Sequence, residues 1–173
     1  ELAGGYSGKV RTLDDAAAEC ELWRADGRRV VLTNGCFDLL HAGHVASLRG
    51  AKAMGDVLVV GVNVDAQVLR MKGEGRPVAP LAERMEMLEA LSCVDLVVPF
   101  VEPTAEVLLR RLRPDTYAKG GDYRPETLNE WPVLRELGIE VRLVPSRPGV
   151  STTTIIDRIL QGHVAASEKA ARG

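Results

Sequence analysis

The stretch DVLVVGVN, residues 56–63, limits the fold more than any other. It is apolar almost throughout and lacks polar residues on alternate positions. A strand of that kind must be covered on both faces. It has companions. RVVLT (29–33), DLVVPF (95–100), DTYAKGGD (115–122) and IEVRLV (139–144) are also strand-like. Between and after them lie AGHVASLRGAKAM (42–54), LAERMEMLEAL (81–91), TAEVLLRRL (104–112), PVLREL (132–137) and TTTIIDRIL (152–160), all with helical spacing. Thr12 is predicted to cap a first helix that stops at Gly27, and Thr104 to cap its own. Pro132 suits a first helical position. Strands alternating with helices imply a parallel sheet, and right-handed crossovers leave one architecture, an α/β, doubly wound, five-stranded parallel sheet. Gly4, Gly5 and Gly8 mark residues 1–10 as a mobile lead-in, so 1–27 read as lead-in plus helix. Residues 28–161 form the domain proper, and the polar, Ala-rich 162–173 read as a flexible tail.

Ligands of such sheets bind beyond the carboxyl ends of the strands. That selects the loops 34–44, 63–80, 119–124 and 145–153. The first reads NGCFDLLHAGH and holds His41 and His44, two of three histidines. Three residues apart at a helix start, they share one side of its first turn. Backbone N–H groups there lack internal partners and favour anions, and Gly35 and Gly43 let a ligand approach the backbone. The pattern favours phosphate binding. The alternatives are capping or surface histidines, or zinc ligands, but no cysteine or third histidine is placed to complete a zinc site. Arg70, Lys72 and Arg76 share the second loop, Lys119 follows the fourth strand and Arg147 the fifth. Each alone is an ordinary solvated charge; together, at strand ends, they suit a polyanion. Ser151 and Thr152 would start the last helix, offering hydroxyls and free N–H groups, and N-capping is compatible with that role.

Other classes are disfavoured. The chain has no GxxxxGK[ST], no GxGxxG after a strand and no GxSxG. Net charge is −2 and aromatics make up 4% of 173 residues, a poor match to nucleic-acid binding. Cys20, Cys36 and Cys93 are far apart, which argues against a disulfide framework and for a reducing compartment. The longest apolar runs are too short to cross a bilayer, and the first residues lack a signal-peptide pattern. A cytoplasmic protein is expected.

TNGCFDLLHAGHV, VNVDA, KGEGRPV, RMEMLEAL, KGGDY and GVSTTTII, in that order, resemble the HxGH nucleotidyltransferases. Within that superfamily they are most similar to the adenylyltransferase domains of ADP-heptose synthases. The resemblance covers roughly 28–161, and GKVRTLDDA is similar to the start of such a domain. It implies a Rossmann-like fold and transfer of AMP from ATP to a heptose 1-phosphate, with pyrophosphate leaving. His41, His44 and Lys72 would be catalytic. Asn34, Gly35, Phe37, Gly43, His44, Asp65, Arg70, Arg147, Ser151 and Thr152 would bind the nucleotide, with Asp65 alternatively capping a helix at 66–71. Asp38, Arg76, Lys119, Gly120, Gly121 and Asp122 would bind the sugar phosphate, with Asp38 alternatively fixing its turn. Mg²⁺ would come mainly on the ATP phosphates, with no dedicated metal site. The resemblance further implies a homodimer and a link to a heptose kinase, this chain being a stand-alone enzyme or one excised half. Arg147-Pro148 before GVSTT also resembles the RTxGISTT loop of glycerol-phosphate cytidylyltransferases, which keeps CTP and a phosphorylated alcohol as the alternative. A catalytically silent nucleotide sensor is the alternative from another class.

Overall fold

The computed structural model describes residues 8–121, 124–145, 147 and 149–171, with side chains to residue 163. Chain order is α1 (Leu13–Ala25), β1 (Val30–Gly35), α2 (Ala42–Lys52), β2 (Val57–Asn63), α3 (Asp65–Lys72), α4 (Leu81–Glu89), β3 (Leu96–Phe100), α5 (Glu106–Leu112), β4 (Thr116–Gly120), a 3₁₀ turn at Pro125–Thr127, α6 (Trp131–Leu137), β5 (Glu140–Val144) and α7 (Thr152–Ala171). The five strands form one sheet in the order β3-β2-β1-β4-β5, and every pairing is parallel. Every residue of β2 is buried, as its unbroken apolar run requires.

Successive strand residues feed two cores, because side chains alternate across a sheet. Val30, Leu32, Val57 and Val59 pack with α1, α5 and α6 residues such as Cys20, Leu108 and Leu134. Val31, Leu58, Val60 and Val62 pack on the other face with Leu48 of α2 and Met85 and Leu88 of α4. The sheet is thus doubly wound, as expected. Gly61 in β2 is required by close packing: a Cβ there would lie 2.4 Å from Leu108 Cδ1.

The amino end of the sheet is closed by carboxylates. Asp115 accepts from Val30 N at 2.7 Å, and Asp95 accepts from Leu58 N at 2.7 Å and from Lys52 Nζ at 2.6 Å. The carboxyl end is open. β1 and β2 stay in register from Val30↔Val57 to Gly35↔Val62, whereas β1 and β4 pair only at Val31↔Thr116 and Leu32↔Tyr117. Beyond those two pairs β1 and β4 diverge, at the point where the strand order reverses.

Thr12 caps α1, accepting from Asp15 N at 3.2 Å, and Pro132 sits in the first turn of α6. Three expectations need correction. The lead-in is not free throughout: Val10 bridges to Val97 at the edge of β3, which gives Lys9 and Arg11 backbone partners there. Thr104 does not cap α5, which starts after Ala105; the carboxylate of Glu130 takes the Ala105 N–H instead, at 3.3 Å. The last helix, expected to end at 160, continues through Gly162 to Ala171, because one glycine is tolerated in a long helix.

Candidate active site

The diverging strand ends open a cavity of about 590 Å³. All four selected loops supply its wall, the fourth through Ser151, Thr152 and Thr153 at the start of the last helix. β1 and the turn after it bring Asn34, Gly35, Phe37, Asp38, His41 and His44. The segment after β2 brings Lys72 and Arg76, β4 brings Lys119, and the start of α7 brings Ser151 and Thr152. Lys72, Arg76 and Lys119 give the cavity a cationic wall, with Asp38 its only carboxylate among the described lining residues.

His41 is the N-cap of α2. Its Nδ1 accepts from the backbone N–H of His44 at 3.3 Å, which puts the proton of the neutral ring on Nε2. The two imidazoles stack with centroids 3.8 Å apart and planes 19° from parallel. Phe37, held at φ 48, tilts its ring against His44 at 5.3 Å. Burial pushes the His41 pKa down. His44 is pushed down to about 4, by burial first and by His41 second, with only partial opposition from the Leu39 backbone. Both shifts favour the neutral ring at neutral pH, which can offer one ring N–H as a donor. Gly43 makes the stack possible. A Cβ at this position would stand 2.9 Å from the His41 ring and 3.3 Å from the Val150 carbonyl. The room it leaves is filled by protein rather than by ligand, a correction to the expectation that it admits the ligand to the backbone.

Asp38 is 3% exposed and its oxygens are occupied. Oδ1 accepts from Val78 N at 2.7 Å and Ala79 N at 3.0 Å, and Oδ2 pairs with Arg76 Nε. Burial alone would raise its pKa; the Ala79 N–H, the Arg76 guanidinium and the Val78 N–H together hold it below the ordinary range. Asp38 therefore latches the 76–79 segment to the first loop, which is the turn-fixing role rather than an open ligand. Ser151 caps α7, its Oγ accepting from Thr154 N at 3.1 Å.

Some predicted residues lie elsewhere. Asp65 heads α3 as its first residue and binds Arg84 Nη2 at 2.7 Å, away from the cavity. Arg70 reaches back to Ala66 O of its own helix, and Arg147 is exposed, neither lining the cavity. Gly120 edges a recess beside the cavity, with Ser47 and Val144. Gly121 donates to Val144 O at 3.1 Å. Asp122 lies outside the described residues.

Two groups escaped the sequence reading. Arg84 is 1% exposed, and its guanidinium also donates to Ala79 O at 3.0 Å and to Cys36 O, so it joins three loop segments from below. In RMEMLEAL it reads as one more solvent-facing charge; the only cue was its place in a helix packed on the sheet. Tyr117, fully buried, donates to Asn34 Oδ1 at 2.6 Å and accepts from Lys119 Nζ at 3.2 Å. It spans the gap between β1 and β4.

Comparison with known proteins agrees with this fold. The cytidylyltransferase-like family model matches residues 32–158, from β1 into α7. Fold and site thus define a nucleotidyltransferase. The chain belongs to the cytidylyltransferase-like family. It is 49% identical over 155 residues to the bifunctional protein HldE of Geobacter metallireducens, an alignment covering 90% of this chain and 32% of that protein. With the bifunctional protein HldE of Streptomyces coelicolor it shares 50% identity over 149 residues, 86% of this chain and 32% of the relative. It spans about a third of the length of these curated relatives. Among solved structures, the lipopolysaccharide core biosynthesis protein of Thermoplasma volcanium is similar, with a TM-score of 0.57 and 29% identity over 70% of this chain and 98% of that one. Among the described residues no helix is long and apolar enough to cross a membrane.

Proposed function

We propose that this chain transfers AMP from ATP to a heptose 1-phosphate, giving an ADP-heptose and pyrophosphate. The observation that carries this is the neutral, stacked His41–His44 pair at the start of α2, in one cavity with Lys72, Lys119 and the first turn of α7. The motif resemblance to ADP-heptose synthases and the similarity to HldE proteins support the choice of acceptor.

An oxygen of the sugar phosphate attacks the α-phosphorus, and the bond to the bridging oxygen of pyrophosphate breaks. The attacking group is already an anion, so neither a protein nucleophile nor a strong base is required. Catalysis rests on positioning and on donors aimed at developing charge. His41 Nε2–H and the neutral His44 ring donate to the phosphates, Lys72 faces the β/γ end, and Arg76 and Lys119 meet the acceptor phosphate. Ser151 and Thr152 hold the triphosphate from α7, while Asn34, Gly35 and Phe37 shape the nucleotide side. Among the described residues no three His, Cys, Asp or Glu side chains converge on a metal-sized site. Mg²⁺ is proposed to arrive on ATP, where phosphate oxygens and water would hold it and it would neutralise the triphosphate. We further place the activity in the cytoplasm, beside a sugar kinase that makes the 1-phosphate, and in a homodimer.

Pyrophosphate release tests the proposal, with ATP, CTP, GTP and UTP each offered heptose 1-phosphates of both anomers and glycerol 3-phosphate. Release with ATP and a heptose 1-phosphate alone is expected. Release with CTP and glycerol 3-phosphate would replace the proposal with the cytidylyltransferase reading. ATP binding by folded protein without any release would replace it with a sensor.

A further inference from the structure

Beside the phosphate cavity lies a second one of about 290 Å³, between the ends of β2 and β4, the start of α5 and the start of α6. The two cavities share Asn34, Asn63, Met71 and Lys119, so they are adjacent. None of the sequence motifs falls within the far wall of the second. That wall carries Thr104, Thr127, Asn129 and Glu130, side chains with hydroxyl, amide and carboxylate groups.

Glu130 is the unusual member. It is 7% exposed, so its carboxylate is removed from bulk water. Among the described residues the one hydrogen bond of its side chain is from Ala105 N, at a long 3.3 Å. A carboxylate offers about four acceptor positions, and Ala105 N uses one of them. Its charge also reaches Tyr117, adding to the burial that raises the phenol pKa. Tyr117 in turn accepts from Lys119 Nζ at 3.2 Å, at the junction of the two cavities. The arrangement is a cation at the junction and an under-used carboxylate behind it. That suits a ligand with a phosphate at one end and hydroxyl donors at the other. A volume near 290 Å³ is roughly ten waters' share of the liquid, the scale of one monosaccharide.

We propose that this second cavity holds the polyol body of the acceptor sugar, and that Glu130 is its specificity-determining residue, accepting from sugar hydroxyls while Lys119 holds the phosphate. The inference rests on the transferase reading above and adds a subsite that the KGGDY motif did not indicate.

The test is steady-state kinetics of pyrophosphate release from ATP and the preferred heptose 1-phosphate, for wild type, Glu130→Gln and Asn129→Leu. Gln keeps an oxygen for Ala105 N, and Asn129 is exposed, so two independent variants cover the risk of misfolding. Thermal melting accompanies each assay. The expected result is a rise of at least tenfold in KM for the sugar phosphate in Glu130→Gln and of several-fold in Asn129→Leu, with KM for ATP within twofold. An unchanged sugar KM in folded variants overturns the subsite while leaving the transferase reading intact. An equal rise in KM for ATP overturns it too, since the cavity would then serve the nucleotide. Wild-type protein that releases no pyrophosphate with any sugar phosphate overturns the reading and the subsite together.

Discussion

The two ends of the sheet both carry polar side chains, put to opposite purposes. At the amino end, Asp95 and Asp115 turn inward and satisfy backbone N–H groups of neighbouring strands. At the carboxyl end, Lys72, Lys119 and the imidazoles face a cavity and leave donors unspent. One end uses polar groups to close the fold, and the other keeps polar groups available. Asp38 belongs by position to the second end and by bonding to the first: it lines the cavity, yet its oxygens serve Val78, Ala79 and Arg76.

That mixed case gives the largest expected effect. Asp38→Ala removes the buried partner of Arg76 and two backbone acceptor bonds. A loss of roughly 3–5 kcal/mol is expected, towards the low end because Arg76 keeps some access to water. Denaturant unfolding measures it. A loss below about 1 kcal/mol would place Asp38 with the ligand-facing groups instead. His44→Ala comes next. Removing one donor at such a site costs about 10²–10³ in rate, so pyrophosphate release should fall that far while the variant melts near wild type. Full activity in the folded variant would sink the site. Asp115→Ala should do the reverse, losing about 1–3 kcal/mol for the exposed demand of Val30 N with kcat within twofold.

Acid gives the smallest effect. The folded pKa of His44, about 4, lies below its unfolded 6.5, so the unfolded chain takes up the proton first. The resulting stability is whole above pH 6.5 and is lost as pH falls towards 4. His44 keeps some contact with solvent, so the change is small. Melting curves from pH 7.5 to 4.5 should show a steeper decline for wild type than for His44→Ala. Parallel declines would mean that the ring is not held neutral by its site.

How far the sequence could be read follows the same division. The strands, their order of appearance and the loops that matter were legible, because burial on both faces leaves a compositional trace in β2. His41 and His44 were legible because a helix start with two imidazoles is a local pattern. Arg84 was not: a buried arginine and a surface arginine have the same letter and the same helical spacing, and only the three acceptors around it separate them. Glu130 was hidden for a related reason, since its partner Ala105 is 25 residues away along the chain and caps the start of another helix. The extension of α7 to Ala171 was missed because a polar, Ala-rich segment is as good a helix as it is a tail.

The early parting of β1 and β4 has a consequence for how such a protein changes over generations. Only two residue pairs bind these strands to each other, and above Leu32 and Tyr117 each keeps only its pairing on the far side, β1 with β2 and β4 with β5. Asn34 and Lys119 pair with Gly61 and Leu143 through the backbone, so their side chains can be exchanged while those pairings stay. New acceptors can thus be explored by lineages that keep one inherited scaffold, with the phosphate chemistry at α2 untouched.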